Sequence, residues 1–313
     1  MRQDILLLFA GELRRVMEHS GINDEELQEI RLRVNQPFLA KVAGKEIFVL
    51  DKGKTVYVTA AQIKESFAYI SQYSYYAFAE EISRGYLTVP GGHRVGIGGK
   101  VIWEEGRCKG MRNISFLNIR VSHQIKGCGL PLLPLIYEKG TVKSTLIVSP
   151  PGAGKTTLMR DLIRLISEGN SWGRGQNVSV VDERSELAAC YQGIPQNDLG
   201  PRCDVLDGVE KAVGISMMVR AMNPQVVAVD EIGGRADVEA IAEAARCGCG
   251  ILATAHGRTL EEIREKPWLG QLVKGKLFDR YLFLTAEKHP GRLVCCLDTL
   301  GREIDIIHCQ RSC

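Results

Sequence analysis

From about Lys143 onward the chain alternates short apolar runs with amphipathic stretches. The runs are Ser144–Ser149 (STLIVS), Asn177–Asp182 (NVSVVD), Gln225–Asp230 (QVVAVD) and Gly250–His256 (GILATAH). Runs of this length without polar alternation read as parallel strands buried on both faces. After the first run, Leu158, Leu162, Leu165 and Ile166 recur at helical spacing, and a helix is expected after each of the other three as well. Strand–helix alternation predicts a mostly parallel sheet with helices on both faces. Ligands of such sheets bind outside the carboxyl ends of the strands.

The first 125 residues follow another pattern. EIRLRV alternates apolar and charged positions as a half-exposed strand does, and FLAKV and EIFVL follow across an AGK turn. Residues 60–85 (AAQIKESFAYISQYSYYAFAEEISRG) predict one helix closed by Gly85. YLTVPGGHRVGIGGKVIWEEG and ISFLNIRVSH predict strands joined at glycine turns. ILLLFA near the start reads as the core face of an N-terminal helix. The expected organisation is a small mixed α/β domain over residues 1–125, a Gly- and Pro-containing linker with an entry helix over 126–142, and a P-loop domain over 143–313.

The carboxyl ends of the four runs carry the polar chemistry. The first leads into Ser149, Pro150, Pro151, Gly152, Ala153, Gly154, Lys155, Thr156 and Thr157. This matches the phosphate-binding loop G-x-x-x-x-G-K-[ST], with Ser149 in place of the first glycine. In that loop successive backbone N–H groups wrap phosphates at a helix N-terminus. Gly152 and Gly154 let the backbone approach, so serine at the first position is a mild change. Lys155 is expected against the β- and γ-phosphates and Thr156 on Mg²⁺; the cofactors implied are ATP and Mg²⁺.

The third run ends in Asp230 and Glu231, the form of a Walker B strand. Asp230 would hold Mg²⁺ and Glu231 would orient or deprotonate the attacking water. The second ends in Asp182 and Glu183, with Glu186 three further on; these acids either assist metal and water or open a helix. The fourth places His256 at a strand tip as a sensor of the γ-phosphate or a structural histidine. Arg94, Arg120 and Arg220 are candidate charge-neutralising arginines or plain surface charges.

Composition narrows the classes without choosing among them. No run reaches the roughly 18 apolar residues of a membrane helix, and no basic leader precedes ILLLFA, so a cytoplasmic protein is expected. Ten cysteines include no C-x-x-C pair, which argues for reduced thiols over a metal site. The net charge of +3 lies wholly within residues 1–125, too weak an excess to argue nucleic-acid binding.

In order along the chain, SPPGAGKTT, VDERSEL, VVAVDEIGG and TAHG resemble the Walker A, Asp box, Walker B and His box of the secretion-ATPase superfamily. RAMNPQVVAVDE and NIRVSH resemble its approach to Walker B and the Ile-Arg element ending its N-terminal domain. EIRLRV, LTVPGGHRVGIGG, NISFLNIRVSHQIKG and VLDGVEKAVGISMMVRAMNPQVVAVDEIGG extend a closer resemblance, to the stage III sporulation protein AA family, over nearly the whole chain. That resemblance implies a RecA-like ATPase domain, an oligomeric ring (hexameric in the superfamily), and membrane channel proteins between mother cell and forespore as partners. Secretion motors usually carry an arginine just after the Walker B glutamate, where this chain has Gly233. A kinase, a nucleic-acid-stimulated translocase and a non-hydrolysing nucleotide-binding scaffold are the rival readings.

Overall fold

The computed structural model describes residues 2–75, 78–83, 85–104, 106–285 and 291–304. It divides into two compact units: residues 1–123 together with 189–196, and residues 124–188 together with 197–313.

The first unit is built on one antiparallel sheet. Its strands are β1 (Leu27–Arg33), β2 (Leu39–Val42), β3 (Lys45–Phe48), β4 (Tyr86–Val89), β5 (His93–Glu104) and β6 (Arg107–Arg120), in the spatial order β3-β2-β1-β6-β5-β4. The alternation in β1 is realised beyond a register shift between Leu27 and Glu29: Ile30 and Leu32 are fully buried, while Glu29 and Arg31 face outward and pair at 2.6 Å. Helices α1 (Gly11–His19) and α2 (Ala60–Ile70) add Leu13, Met17 and Ile63 to the same core.

Two expectations are corrected here. The 60–85 stretch is not one helix. A Thr59–Gln62 capping box starts α2, but Ser71 turns its hydroxyl back to the Phe67 carbonyl. Gln72 and Tyr73 then adopt positive φ, and helix resumes only over Ala79–Ser83; Tyr76, Ala77 and Arg84 lie outside the described residues. Likewise ILLLFA buries Ile5, Leu6, Leu8 and Phe9, yet its helix spans only Gln3–Leu6.

The second unit carries a seven-stranded sheet of β7 (Thr145–Ser149), β8 (Val178–Asp182), β9 (Cys203–Asp207), β10 (Val226–Val229), β11 (Gly250–His256), β12 (Arg280–Thr285) and β13 (Arg292–Asp298). The spatial order is β9-β8-β10-β11-β7-β12-β13. Every neighbouring pair is parallel except β12 with β13. All residues of β7, β8 and β10 are buried, as a sheet covered on both faces requires; each such Val, Leu or Ile contributes roughly 1.5–3 kcal/mol. Helices α3 (Lys155–Glu168), α4 (Lys211–Met222) and α5 (Arg235–Arg246) follow β7, β9 and β10.

Three features differ from the pattern reading. No helix follows β8 directly: the chain turns through residues 183–202 and adds β9 as a parallel edge strand before α4. Residues 189–196 group with the first unit, where the Tyr191 ring stacks on Phe78 at 6.5 Å. Residues 130–136 are no free linker: Leu132, Leu133, Leu135 and Ile136 are buried within the second unit.

Candidate active site

The candidate site lies at the carboxyl ends of β7, β8, β10 and β11 in the second unit. Strand register brings these ends together: Ser149 is paired with His256, and Val229, the residue before Asp230, with Ala253, the residue before Thr254. Beyond β7 the backbone turns through Gly152 at φ +73° and Gly154 at φ +84° into α3. A Cβ at Gly152 would meet nothing within 4 Å, so left-handed conformation rather than space favours glycine there. Gly154 is the N-cap of α3, which aims the first-turn N–H groups of that helix out of the loop. Pro151 and Gly152 are exposed, Pro150, Thr156 and Thr157 half-buried, and Ala153 fully buried.

Lys155 is the hub of the cluster. The residue is 5% exposed, and its ammonium donates to the Ser149 carbonyl, the Ser149 hydroxyl and the Pro150 carbonyl, each at 3.3 Å. It also faces His256 Nδ1 at 3.2 Å. Burial pulls its pKa below the ordinary lysine value, and Asp230 and Glu231 pull the other way. Ser149 is wholly buried and donates to the Pro150 carbonyl at 2.9 Å. It therefore supports the lysine from beneath instead of lining the mouth of the loop.

A second group surrounds Asp230. Thr156 Oγ1 donates to its Oδ2 at 2.7 Å, and the Thr254 hydroxyl bonds its Oδ1. Thr254 also accepts the Glu231 N–H at 2.8 Å, which helps hold Glu231 at φ +53°. The Glu231 carboxylate accepts from His256 Nε2 at 3.1 Å and from Arg184 Nη1 at 2.8 Å. Because an ammonium can only donate, His256 Nδ1 accepts from Lys155 and Nε2 carries the proton given to Glu231. The residues fit a Mg·nucleotide: a glycine-shaped anion cradle, a buried lysine, and a hydroxyl–carboxylate pair of hard oxygen donors.

The acids after β8 have other work. Asp182 accepts the N–H groups of Glu186 (2.8 Å), Leu187 (3.0 Å) and Ala188 (2.8 Å). Burial pushes its carboxyl up to about 6 against those three donors. Arg160 holds the same turn from its carbonyl side, donating to Leu187 and Glu186 at 2.8 and 2.7 Å. Asp182 thus folds the turn that replaces the expected helix. Glu183 pairs with Lys211, and Glu186 lies 3.7 Å from Arg184.

The arginines separate. Arg220 is exposed in the last turn of α4, and none of the side-chain bonds described for the cluster includes it. Arg94 and Arg120 belong to the first unit, directly opposite each other on β5 and β6, with the Arg94 guanidinium 4.1 Å over the Tyr86 ring. Pattern reading missed Thr254, Arg184 and Arg160. The first sits two residues before His256 on β11 and the second two after Asp182, so both share the strand tips that carried the signal. Among the described residues no group of three or more metal-ligating His, Cys, Asp or Glu occurs, and no helix is long and apolar enough to cross a membrane.

Comparison with known proteins gives the family and the fold. The family described as "Sporulation stage III, protein AA" matches residues 1–304. Stage III sporulation protein AA of Bacillus subtilis (strain 168) is 40% identical over 292 residues, covering 92% of each chain. The fold is similar to that of the pilus retraction motor PilT, solved with bound ADP (TM-score 0.58, 15% identity, 90% of this chain and 78% of that one). It is also similar to the Legionella pneumophila ATPase DotB (TM-score 0.54, 15% identity, 87% and 75%).

Proposed function

The chain belongs to the Sporulation stage III, protein AA family, and from that premise we propose that it is a Mg²⁺-dependent ATPase that powers assembly of, or transport through, a sporulation channel. The observation that carries this reading is the continuous bonding from Lys155 through His256 to Glu231, beside Thr156 on Asp230. It joins a phosphate cradle to a carboxylate able to handle water.

Lys155 exchanges its contacts with Ser149, Pro150 and His256 for phosphate oxygens. Thr156 and Asp230 would hold the metal, which would supply charge neutralisation at the phosphates. Glu231 orients the attacking water and takes its proton. His256 reports the position of Lys155 to Glu231, and Asp182 keeps the neighbouring turn in place. Arg94 and Arg120 act across the domain or subunit boundary of a homo-oligomeric ring, six-membered as in secretion motors. Its seat on the mother-cell side of a membrane comes from channel proteins.

The test is phosphate release from ATP by the full chain, with Mg²⁺ and with chelator, and with RNA, lipid vesicles or phosphoryl acceptors added. Mg²⁺-dependent release without acceptor or nucleic acid is expected. Tight ATP binding without any release would make the protein a nucleotide-dependent scaffold.

A further inference from the structure

Arg184 has no part in the scheme above, yet it touches the residue at its centre. Its Nη1 donates to Glu231 Oε2 at 2.8 Å, and its Nε lies 3.7 Å from Glu186 Oε1. The other Glu231 oxygen is taken by His256, so both oxygens of the water-handling carboxylate already accept a bond from the protein. The loop bearing Arg184 is pinned on two sides. Asp182 binds its amides at 186–188, and Arg160 binds its carbonyls at 186 and 187. A turn fixed this firmly sets where Arg184 reaches.

We propose that Arg184 is a latch on Glu231: it competes with the attacking water for the carboxylate and restrains turnover until the guanidinium moves to another anion. The inference rests on the ATPase reading given above. A guanidinium bonded to a carboxylate oxygen occupies acceptor capacity that an incoming water would otherwise use. The latch must also be weak enough to open. The Arg184 side chain is 60% exposed, and an exposed ion pair of this kind holds only loosely. Glu186, next to it on the same loop, is one acceptor for the released guanidinium, and the phosphates of a nucleotide would be another. Arg184 is thus a positioning residue that acts through Glu231.

The experiment measures kcat and KM for Mg·ATP in the full chain with Arg184→Ala, Arg184→Gln, Arg184→Lys, Glu186→Ala and the Arg184→Ala/Glu186→Ala double variant. Removing the latch should raise kcat about threefold or more in the Ala and Gln variants, with KM within twofold, and Lys should return kcat toward wild type. Glu186→Ala, which takes away one resting place, should lower kcat, and should have no effect once Arg184 is gone. An unchanged or reduced kcat in Arg184→Ala overturns the latch. Glu231→Gln, assayed alongside, separates the two readings. If it abolishes wild-type turnover, the ATPase reading stands and the Arg184 series alone decides the latch. If wild type releases no phosphate, turnover appearing in Arg184→Ala supports the latch, and none in either overturns it.

Discussion

Thr156 Oγ1 donates to Asp230 Oδ2 at 2.7 Å, tying the first turn of α3 to the end of β10. These are the hard oxygens that would hold a divalent cation, and the Thr254 hydroxyl fixes the far side of the carboxylate. Thr156→Val and Asp230→Asn should therefore each raise the Mg²⁺ concentration for half-maximal turnover about tenfold or more, with a smaller change for Thr254→Val. Titrating Mg²⁺ at fixed ATP checks this. Equal Mg²⁺ requirements in all four proteins would remove the pair from metal binding.

Lys155 is held by three bonds from Ser149 and Pro150, and its buried charge faces two carboxylates. Lys155→Ala should weaken ATP binding about a hundredfold while leaving the protein folded, as a fluorescent ATP analogue and thermal melting would show. Ser149→Gly removes one of the three supports and should weaken ATP binding by less than about tenfold. A gain of affinity in Ser149→Gly would mean that the serine detunes the loop.

Much of this was legible in the chain because parallel strands buried on both faces leave an apolar signature, and their polar ends stand out against it. Ser144–Ser149, Gln225–Asp230 and Gly250–His256 each marked a strand and the polar group at its carboxyl end. The segment after β8 was not legible. Asp182 looked like a metal or water ligand, but its carboxylate is spent on three backbone amides, an interaction that leaves no periodicity. Thr254 was hidden because a buried threonine in an apolar strand reads as core. The break at Ser71–Tyr73 was hidden because none of its residues is a glycine or proline, and positive φ at Gln72 and Tyr73 has no compositional mark.

His93, fully buried in the first unit, should make that unit acid-sensitive. Its Nδ1 accepts the Ser122 N–H at 3.0 Å and its Nε2 lies 3.1 Å from Asp4, so charging the ring would set two donors against each other. Burial, with Arg2 nearby, depresses its pKa from 6.5 to about 4. The unfolded chain then binds the proton more tightly. The stability is fully present above pH 6.5 and is lost as pH falls toward 4, by about 3 kcal/mol in all. Urea unfolding of wild type and His93→Gln at pH 6.5, 5.5 and 4.5 measures it. The wild type should lose more on acidification, and parallel losses would show that His93 does not titrate as its surroundings imply.

Arg94 and Arg120 stand directly opposite each other across β5 and β6, an arrangement that costs like-charge repulsion. Tyr86 offsets part of it by lying 4.1 Å beneath the Arg94 guanidinium, while Arg120 is exposed. Two arginines facing each other across neighbouring strands suit an anion brought to them, and the transition state of phosphoryl transfer is one. Arg120→Ala should lower kcat about a thousandfold, the usual worth of an arginine finger, with ATP affinity nearly unchanged; Arg94→Ala should cost less, since its ring contact holds it in place. If the arginine acts between subunits, activity per chain should also rise with protein concentration. The point variants are the proper test, because cutting the chain near residue 126 would not leave an intact ATPase unit. Residues 189–196 belong with the first unit, and such a cut would strip Tyr191 of Phe78 and expose the segment that begins one residue beyond the Asp182-bound turn. Loss of activity in the truncated chain would then report a damaged loop, whereas Arg120→Ala turning over at the wild-type rate would end the arginine's claim to the chemistry.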